Sequence, residues 1–174
     1  LETGRKNSTV NKYKKLMSQI FSFMIDNEVI VRNPLARIKS LREEKSEEVC
    51  ALSSQEVQIL LSKTKAVYPD FYPLLFTAIF TGLRQGELMA LTWDSINWVK
   101  KQITVDKNYT HGRLGTPKTG KIRKVDMSLE LVKVLKEWRL ACPKGEKNLL
   151  FPNGEGEYQD ANNMIKRRYK PALN

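Results

Sequence analysis

The chain has 174 residues, of which 41% are hydrophobic and 28% are charged, a balance that excludes an intrinsically disordered protein. No apolar run approaches the roughly 18 residues of a membrane span, so we expect neither a transmembrane helix nor a membrane partner. Thirty Lys and Arg against 19 Asp and Glu leave a net charge of +11, which favours a polyanionic partner such as nucleic acid. On charge alone, the alternative is a basic soluble protein without such a partner. Cys50 and Cys142 lie far apart without a CxxC spacing, and we expect a reduced intracellular chain, with a disulfide between the two as the alternative.

The first predicted element is an amphipathic helix from Ser8 to Asn27, in which apolar residues recur at helical spacing. The later segment from Lys39 to Glu48 is charged and nearly free of apolar residues, which is typical of an exposed linker. We therefore predict two domains, residues 1–40 and 51–174, joined by a linker over residues 41–50.

Helices dominate the first part of the predicted second domain. Ser53 and Glu56 have the spacing of a capping box at the start of a helix. The run from Phe71 to Phe80 is almost wholly apolar, which predicts a buried helix that Gly82 ends. Another helix is predicted from Gln85 to Leu91.

Short strands and two more helices follow. Alternating polar and apolar residues predict strands from Gln102 to Asp106 and from Ile122 to Met127. Asn108 to Thr110 can extend the pairing of the first strand, and the segment His111 to Arg113 is expected to break it. Ser128 can cap the next helix, and a basic amphipathic helix is predicted from Ala161 to Tyr169. The predicted fold class is mainly α with a small antiparallel β-sheet (α+β).

Arg84 is the first candidate for chemistry, because it follows Gly82 and Leu83 at the junction between the buried helix and a shorter one. A guanidinium held at a helix end can point outward and bind two phosphate oxygens at once. A salt bridge with Glu87, three residues further on, is the alternative that spacing alone favours.

Lys118 is the second candidate and lies in a predicted β-hairpin that turns at Gly120-Lys121. Lysines at such tips usually keep an edge strand soluble, and that alternative is strong for Lys118 taken alone. A flexible ammonium group at a hairpin tip can also enter a DNA groove or give a proton to a leaving oxygen.

Together these segments resemble a known family. Thr81-Gly82-Leu83-Arg84-x-x-Glu87-Leu88-x-x-Leu91-x-Trp93-x-x-Ile96 resembles the first catalytic box of the tyrosine recombinase, or phage integrase, family. Pro117-Lys118-Thr119 and Arg123-Lys124-Val125 are similar to that family's hairpin and the strand after it. By this resemblance, residues 1–40 are the C-terminal part of a helical (SAM-like) core-binding domain. Residues 51–174 are the N-terminal portion of a catalytic domain like that of DNA breaking-rejoining enzymes, and the domain is incomplete.

The resemblance implies phosphoryl transfer on double-stranded DNA without a metal or a cofactor. In this family a tyrosine hydroxyl attacks the scissile phosphate, forms a 3′-phosphotyrosyl bond and releases a 5′-hydroxyl. Arginines and histidines hold the non-bridging oxygens, where fixed donors stabilise charge that develops in the transition state. A hairpin lysine acts as general acid. By position, Arg84 corresponds to the first arginine and Lys118 to the lysine, whereas Glu87 is expected to support the fold.

The second box of that family, His-x-x-Arg followed by a further His or Trp and the nucleophilic Tyr, does not occur in this sequence. The single histidine, His111, is predicted in a loop between strands, and Tyr169 lacks a flanking box and is expected to pack or to face DNA. Because the chain begins at Leu1 and stops at Asn174, we expect a fragment that cannot cleave DNA.

Two alternatives stay open. One is a naturally catalysis-free DNA-binding remnant or regulator with the same fold, which the reading frame beyond Asn174 would distinguish from a fragment. The other is an unrelated basic helical protein such as an RNA binder, although the usual base-stacking aromatic motifs are missing.

The resemblance also indicates how the protein would meet DNA, with the duplex clamped between the two domains. The parent protein is expected to be a tetramer on DNA, this fragment a monomer, and both bacterial or phage-encoded and cytoplasmic. Each candidate contact is alternatively a solvated surface side chain. The candidate DNA contacts are Lys12, Lys15, Lys121, Arg123, Lys124, Lys166 and Arg167.

Overall fold

The computed structural model describes residues 4–43, 51–117 and 120–173. The chain divides into two compact units, Leu1–Ala51 and Leu52–Asn174. Among the described residues, no helix combines the length and the apolar character needed to cross a membrane.

The first unit contains one long helix, α1 (Asn7–Asp26), and a following segment that returns alongside it. The side chain of Asn11 accepts a hydrogen bond from the backbone N–H of Leu41 (2.8 Å) and donates one to the Leu41 carbonyl (2.9 Å). Asn33 donates to the hydroxyl of Ser18 at 2.8 Å. All of α1 is described and none of its residues is buried, so asparagine side chains rather than a hydrophobic core connect these segments. Apolar side chains of α1 that stay exposed are Tyr13, Leu16, Met17, Ile20 and Phe23.

The helices of the second unit that surround its core begin with α2 (Ser54–Val67), α3 (Tyr72–Thr81), α4 (Gln85–Ala90) and α5 (Leu129–Ala141). Helix α3 is the apolar one that the sequence predicted, and it packs against both α2 and α5. The capping box at the start of α2 is confirmed by its reciprocal hydrogen bonds. Core side chains shared by the helices and the strands include Leu61, Leu75, Leu88, Ile103, Leu131, Leu135 and Leu150.

Five short strands complete this unit: β1 (Ile96–Asn97), β2 (Gln102–Val105), β3 (Asn108–Thr110), β4 (Arg113–Gly115) and β5 (Arg123–Asp126). The strands β1, β2 and β5 form an antiparallel sheet in the order β1-β2-β5. The strands β3 and β4 form a separate antiparallel hairpin. The prediction of a mainly helical fold with a small antiparallel sheet is confirmed.

The expected break at His111 to Arg113 is wrong. His111 and Gly112 have φ angles of 51° and 75°, as in the type I′ two-residue turns that join antiparallel strands. Arg113 then begins β4 directly opposite Thr110. The His-Gly pair therefore reverses the chain and continues the pairing, because glycine at the second position adopts a positive φ without steric cost.

The last helix continues past its predicted end at Tyr169. Helix α6 (Ala161–Met164), a π-helical segment (Ile165–Tyr169) and α7 (Lys170–Leu173) follow one another without a break. Pro171 has no backbone N–H to donate to the carbonyl four residues earlier, which interrupts the regular α-helical pattern of hydrogen bonds. Tyr169 is half-buried and packs against the core.

Candidate functional site

Arg84 lies at a sharp corner between two helices. Helix α3 ends at Gly82, whose φ of 62° is left-handed and whose N–H donates to the carbonyl of Ala78 at 3.0 Å. Leu83 is buried and anchors the corner, so that Arg84 becomes the N-cap residue of α4. The helix corner fixes the backbone of Arg84. Its side chain remains 57% exposed, so the guanidinium is accessible from solvent.

The carboxylate next to Arg84 belongs to Glu87, the third residue of α4, whose side chain is only 1% exposed. Its Oε2 accepts the backbone N–H of Arg84 at 2.8 Å, and its Oε1 accepts Arg84 Nη1 at 3.1 Å. The salt bridge that spacing favoured is therefore present. This salt bridge uses one of the three guanidinium nitrogens of Arg84. The other two nitrogens have no hydrogen-bond acceptor among the described residues.

Arg123, the first residue of β5, reaches the same carboxylate from the sheet. Its Nη1 donates to Oε1 of Glu87 at 2.8 Å and its Nη2 donates to Oε2 at 2.6 Å, which is a bidentate pair. The sequence placed Arg123 among the candidate DNA contacts, and the structure places both of its terminal nitrogens on Glu87. This contact joins α4 to β5 across 36 residues of sequence.

Two guanidiniums and one carboxylate give this Arg84–Glu87–Arg123 cluster one net positive charge. The hydrogen bonds from Arg123 are the main reason why the pKa of Glu87 is lowered from 4.5 to about 2; burial opposes them, and the contacts from Arg84 add to them. The same pairing raises the pKa of Arg123. Glu87 is therefore ionised near neutral pH, and the cluster keeps its positive charge.

Gly86 lets the β3–β4 hairpin pack tightly against the first turn of α4. A Cβ atom at this position would lie 2.8 Å from Oγ1 of Thr110 and 2.9 Å from the carbonyl oxygen of Tyr109, and it would overlap the side chain of Asn108. Only glycine permits so close an approach of a strand. The sequence pattern does not single out Gly86, although a glycine inside a short helix is a signal of close packing.

A cavity of about 440 Å³ opens beside the first turn of α4, between the hairpin and the segment before α6. The rings of Tyr109 and Tyr158 line it and stack with their centroids 3.9 Å apart. The single histidine, His111, lies in its wall at the turn of the hairpin. In the described ranges of the chain, no group of three or more His, Cys, Asp or Glu side chains is placed to hold a metal ion.

The remaining predicted site residues are distributed over several elements. Lys118 lies outside the described residues. None of the other six forms a hydrogen bond with the Arg84–Glu87–Arg123 cluster in the part of the chain that the structure describes, and all six are exposed. They are Lys12 and Lys15 on α1, Lys121 just before β5, Lys124 in β5, and Lys166 and Arg167 in the π-helical segment.

Comparison with known proteins identifies the family of this chain. The model of the phage integrase family matches residues 51–173. The ICEBs1 integrase of Bacillus subtilis (strain 168) is 34% identical over 148 residues, which are 81% of this chain and 39% of that integrase. A tyrosine recombinase XerC-like protein of Caldanaerobacter subterraneus subsp. tengcongensis is 28% identical over an alignment that covers 99% of this chain and 51% of that protein.

A solved structure shares the fold. The Tn1549 transposon integrase, in complex with a circular intermediate DNA, matches with a TM-score of 0.80 at 23% identity, over 98% of this chain and 60% of that chain. The alignments thus cover 39% and 51% of the two relatives and 60% of the integrase chain in the solved structure. The residues that the family model matches include the whole Arg84–Glu87–Arg123 cluster. The chain therefore belongs to the phage integrase family of tyrosine recombinases.

Proposed function

We propose that this chain supplies the phosphate-binding part of a site-specific recombinase that exchanges DNA strands through a 3′-phosphotyrosyl intermediate. The observation that carries the proposal is the Arg84 guanidinium, which is exposed at a helix corner and braced by the buried Glu87 carboxylate. In the proposed reaction, Arg84 donates to a non-bridging oxygen of the scissile phosphate. A donor that is fixed before the reaction stabilises the charge that develops as phosphorus becomes five-coordinate, and no reorganisation is needed at that moment.

We assign Lys118 the role of general acid, which gives its proton to the departing 5′ oxygen. Lys118 precedes Arg123 by five residues, so the chain cannot carry its Cα more than about 18 Å from the Cα of Arg123. Because Arg123 is bound to Glu87 beside Arg84, this limit allows the lysine to work on the same phosphate as Arg84, and the assignment itself rests on the resemblance to the family.

We assign neither the nucleophilic tyrosine nor the second arginine to any residue of this sequence, because no His-x-x-Arg occurs in it. A nicked suicide duplex incubated with the chain is therefore expected to give no covalent protein–DNA adduct on a denaturing gel. An adduct would show that one of the six tyrosines is a nucleophile, and Tyr→Phe substitutions would then identify it.

Double-stranded DNA is the proposed partner. The net charge of +11 supports it, as does the DNA in the complex of the Tn1549 integrase. We propose that the first unit is the end of a core-binding domain and that the second unit begins the catalytic domain. The six exposed candidates on α1, near β5 and in the π-helical segment would contact the DNA backbone, and the whole protein would assemble as a tetramer on DNA.

Arg84→Ala tests the proposal through DNA binding. Loss of one charge-assisted phosphate contact is expected to weaken binding of a duplex about tenfold. The slope of log K against log salt concentration should become shallower by about 0.9. Fluorescence anisotropy of a labelled duplex, titrated at several potassium chloride concentrations, measures both quantities.

Arg139→Ala is the matched control, because Arg139 is an exposed arginine on α5 whose loss changes the net charge equally. It is expected to change the affinity by less than about twofold. Equal losses in the two variants would refute the proposal, since the effect would then reflect net charge and not the corner at Arg84.

A further inference from the structure

The Glu87 carboxylate binds two guanidiniums in different ways. Arg123 gives one hydrogen bond to each carboxylate oxygen, at 2.8 and 2.6 Å. Arg84 gives a single, longer side-chain bond of 3.1 Å. Arg123 thus uses two of its five N–H donors on Glu87 in a bidentate fork, whereas Arg84 uses one of its five, and its other four have no acceptor among the described residues.

The way in which each arginine binds Glu87 affects how strongly that arginine can attract a phosphate group. A carboxylate in contact with an arginine weakens the attraction of that arginine for phosphate, because the opposite charges offset each other. Bidentate binding by Arg123 satisfies both oxygens of Glu87 and offsets its charge. The net positive charge then remains for Arg84, whose side chain is 57% exposed compared with 36% for Arg123.

We infer that Arg123 is a positioning residue, which binds both oxygens of Glu87 and thereby leaves most donors of Arg84, and the net positive charge of the cluster, to a phosphate group of DNA. This inference rests on the proposed function, in which Arg84 binds phosphate. Without Arg123, both oxygens of Glu87 attract the guanidinium of Arg84 into a closed pair with fewer free donors. In this role Arg123 acts through Arg84 and needs no phosphate contact of its own.

Two other roles for Arg123 predict different behaviour. A direct contact with DNA would contribute to affinity whether or not Arg84 is present. A purely structural link between α4 and β5 would contribute to folding stability and leave the affinity of the folded protein unchanged. A double-mutant cycle separates these roles, because only residues that act together show non-additive effects.

The cycle uses two substitutions of Arg123, each made alone and together with Arg84→Ala. Arg123→Met removes the charge, whereas Arg123→Lys keeps the charge and loses the planar fork. Arg139→Met is the charge-matched control. Duplex affinity is measured by fluorescence anisotropy at a temperature at which circular dichroism shows each variant to be folded. If Arg123→Met does not fold, the double-mutant cycle is measured with Arg123→Lys instead.

Arg123→Met is expected to weaken duplex binding about five- to tenfold when Arg84 is present and less than about twofold when it is combined with Arg84→Ala. Arg123→Lys should recover part of the lost affinity, and Arg139→Met should cause little loss.

Equal losses of affinity from Arg123→Met with Arg84 present and with Arg84→Ala would establish a direct DNA contact and overturn the inference. A lower Tm with unchanged affinity would establish a purely structural role and overturn it as well. If Arg84→Ala alone leaves binding unchanged, the proposed function itself is wrong, and the inference fails with it.

Discussion

Glu87→Gln is expected to lower the free energy of unfolding by about 2–3 kcal/mol, because it breaks a buried charged network. The carboxylate accepts hydrogen bonds from the backbone and side chain of Arg84 and from both terminal nitrogens of Arg123. An amide has one acceptor oxygen, and its NH₂ group would face guanidinium donors. Urea unfolding followed by circular dichroism at neutral pH measures the loss. Glu155→Gln, at an exposed position, is the control and should leave stability unchanged.

The stability difference between the wild-type chain and Glu87→Gln depends on pH through the pKa of Glu87. That pKa is about 2 in the folded chain, compared with an ordinary value of 4.5. A lowered pKa in the folded state contributes stability that is complete above the ordinary value and is lost as the pH falls toward the folded value. The stability advantage of the wild-type chain over Glu87→Gln should therefore shrink between about pH 5 and pH 2. A difference that stays constant over that range would contradict the assigned pKa shift.

Gly86→Ala is expected to lower the free energy of unfolding by about 1–3 kcal/mol, because the added methyl group overlaps the β3–β4 hairpin. The nearest backbone atom, the carbonyl oxygen of Tyr109, would lie 2.9 Å from the new carbon, so the strand has to move. We also expect weaker duplex binding, because Arg84 is two residues away in the same helical turn. Thermal unfolding and anisotropy measure the two effects.

Gly154→Ala provides the matched control for that substitution. A Cβ atom at Gly154 would have no neighbouring atom within 4 Å, and its φ angle is not in the left-handed region. Both glycine variants change the unfolded chain in the same way, so the difference between them isolates the packing effect. If Gly154→Ala costs as much stability as Gly86→Ala, the close approach at the hairpin is not the cause.

The parts of the site that depend on local sequence could be predicted. Gly82 ends α3 because it adopts a left-handed conformation, and Glu87 lies within one helical turn of Arg84, so both relations are visible at short spacing. The fold class was equally accessible, because the apolar α3 and the alternating strand β2 have strong periodic patterns.

The remaining parts depend on how distant segments pack. No pattern pairs Glu87 with Arg123, since their contact exists only when the sheet lies beside α4. Because this contact depends on tertiary packing, the sequence alone does not distinguish Arg123 from an exposed cation such as its neighbour Lys124. The role of Gly86 becomes apparent only once the hairpin is recognised, and the hairpin was missed because His111 takes a positive φ that is uncommon outside glycine.

The bond between Glu87 and Arg123 closes a loop of 36 residues that contains β1, β2 and the β3–β4 hairpin. Closing a loop of this length costs chain entropy, which the packing of the enclosed strands and of the contact itself has to offset. Helix α4 has only six residues, too few to be stable in isolation, so the corner that presents Arg84 is expected to be fixed only when the sheet and the hairpin pack beside it.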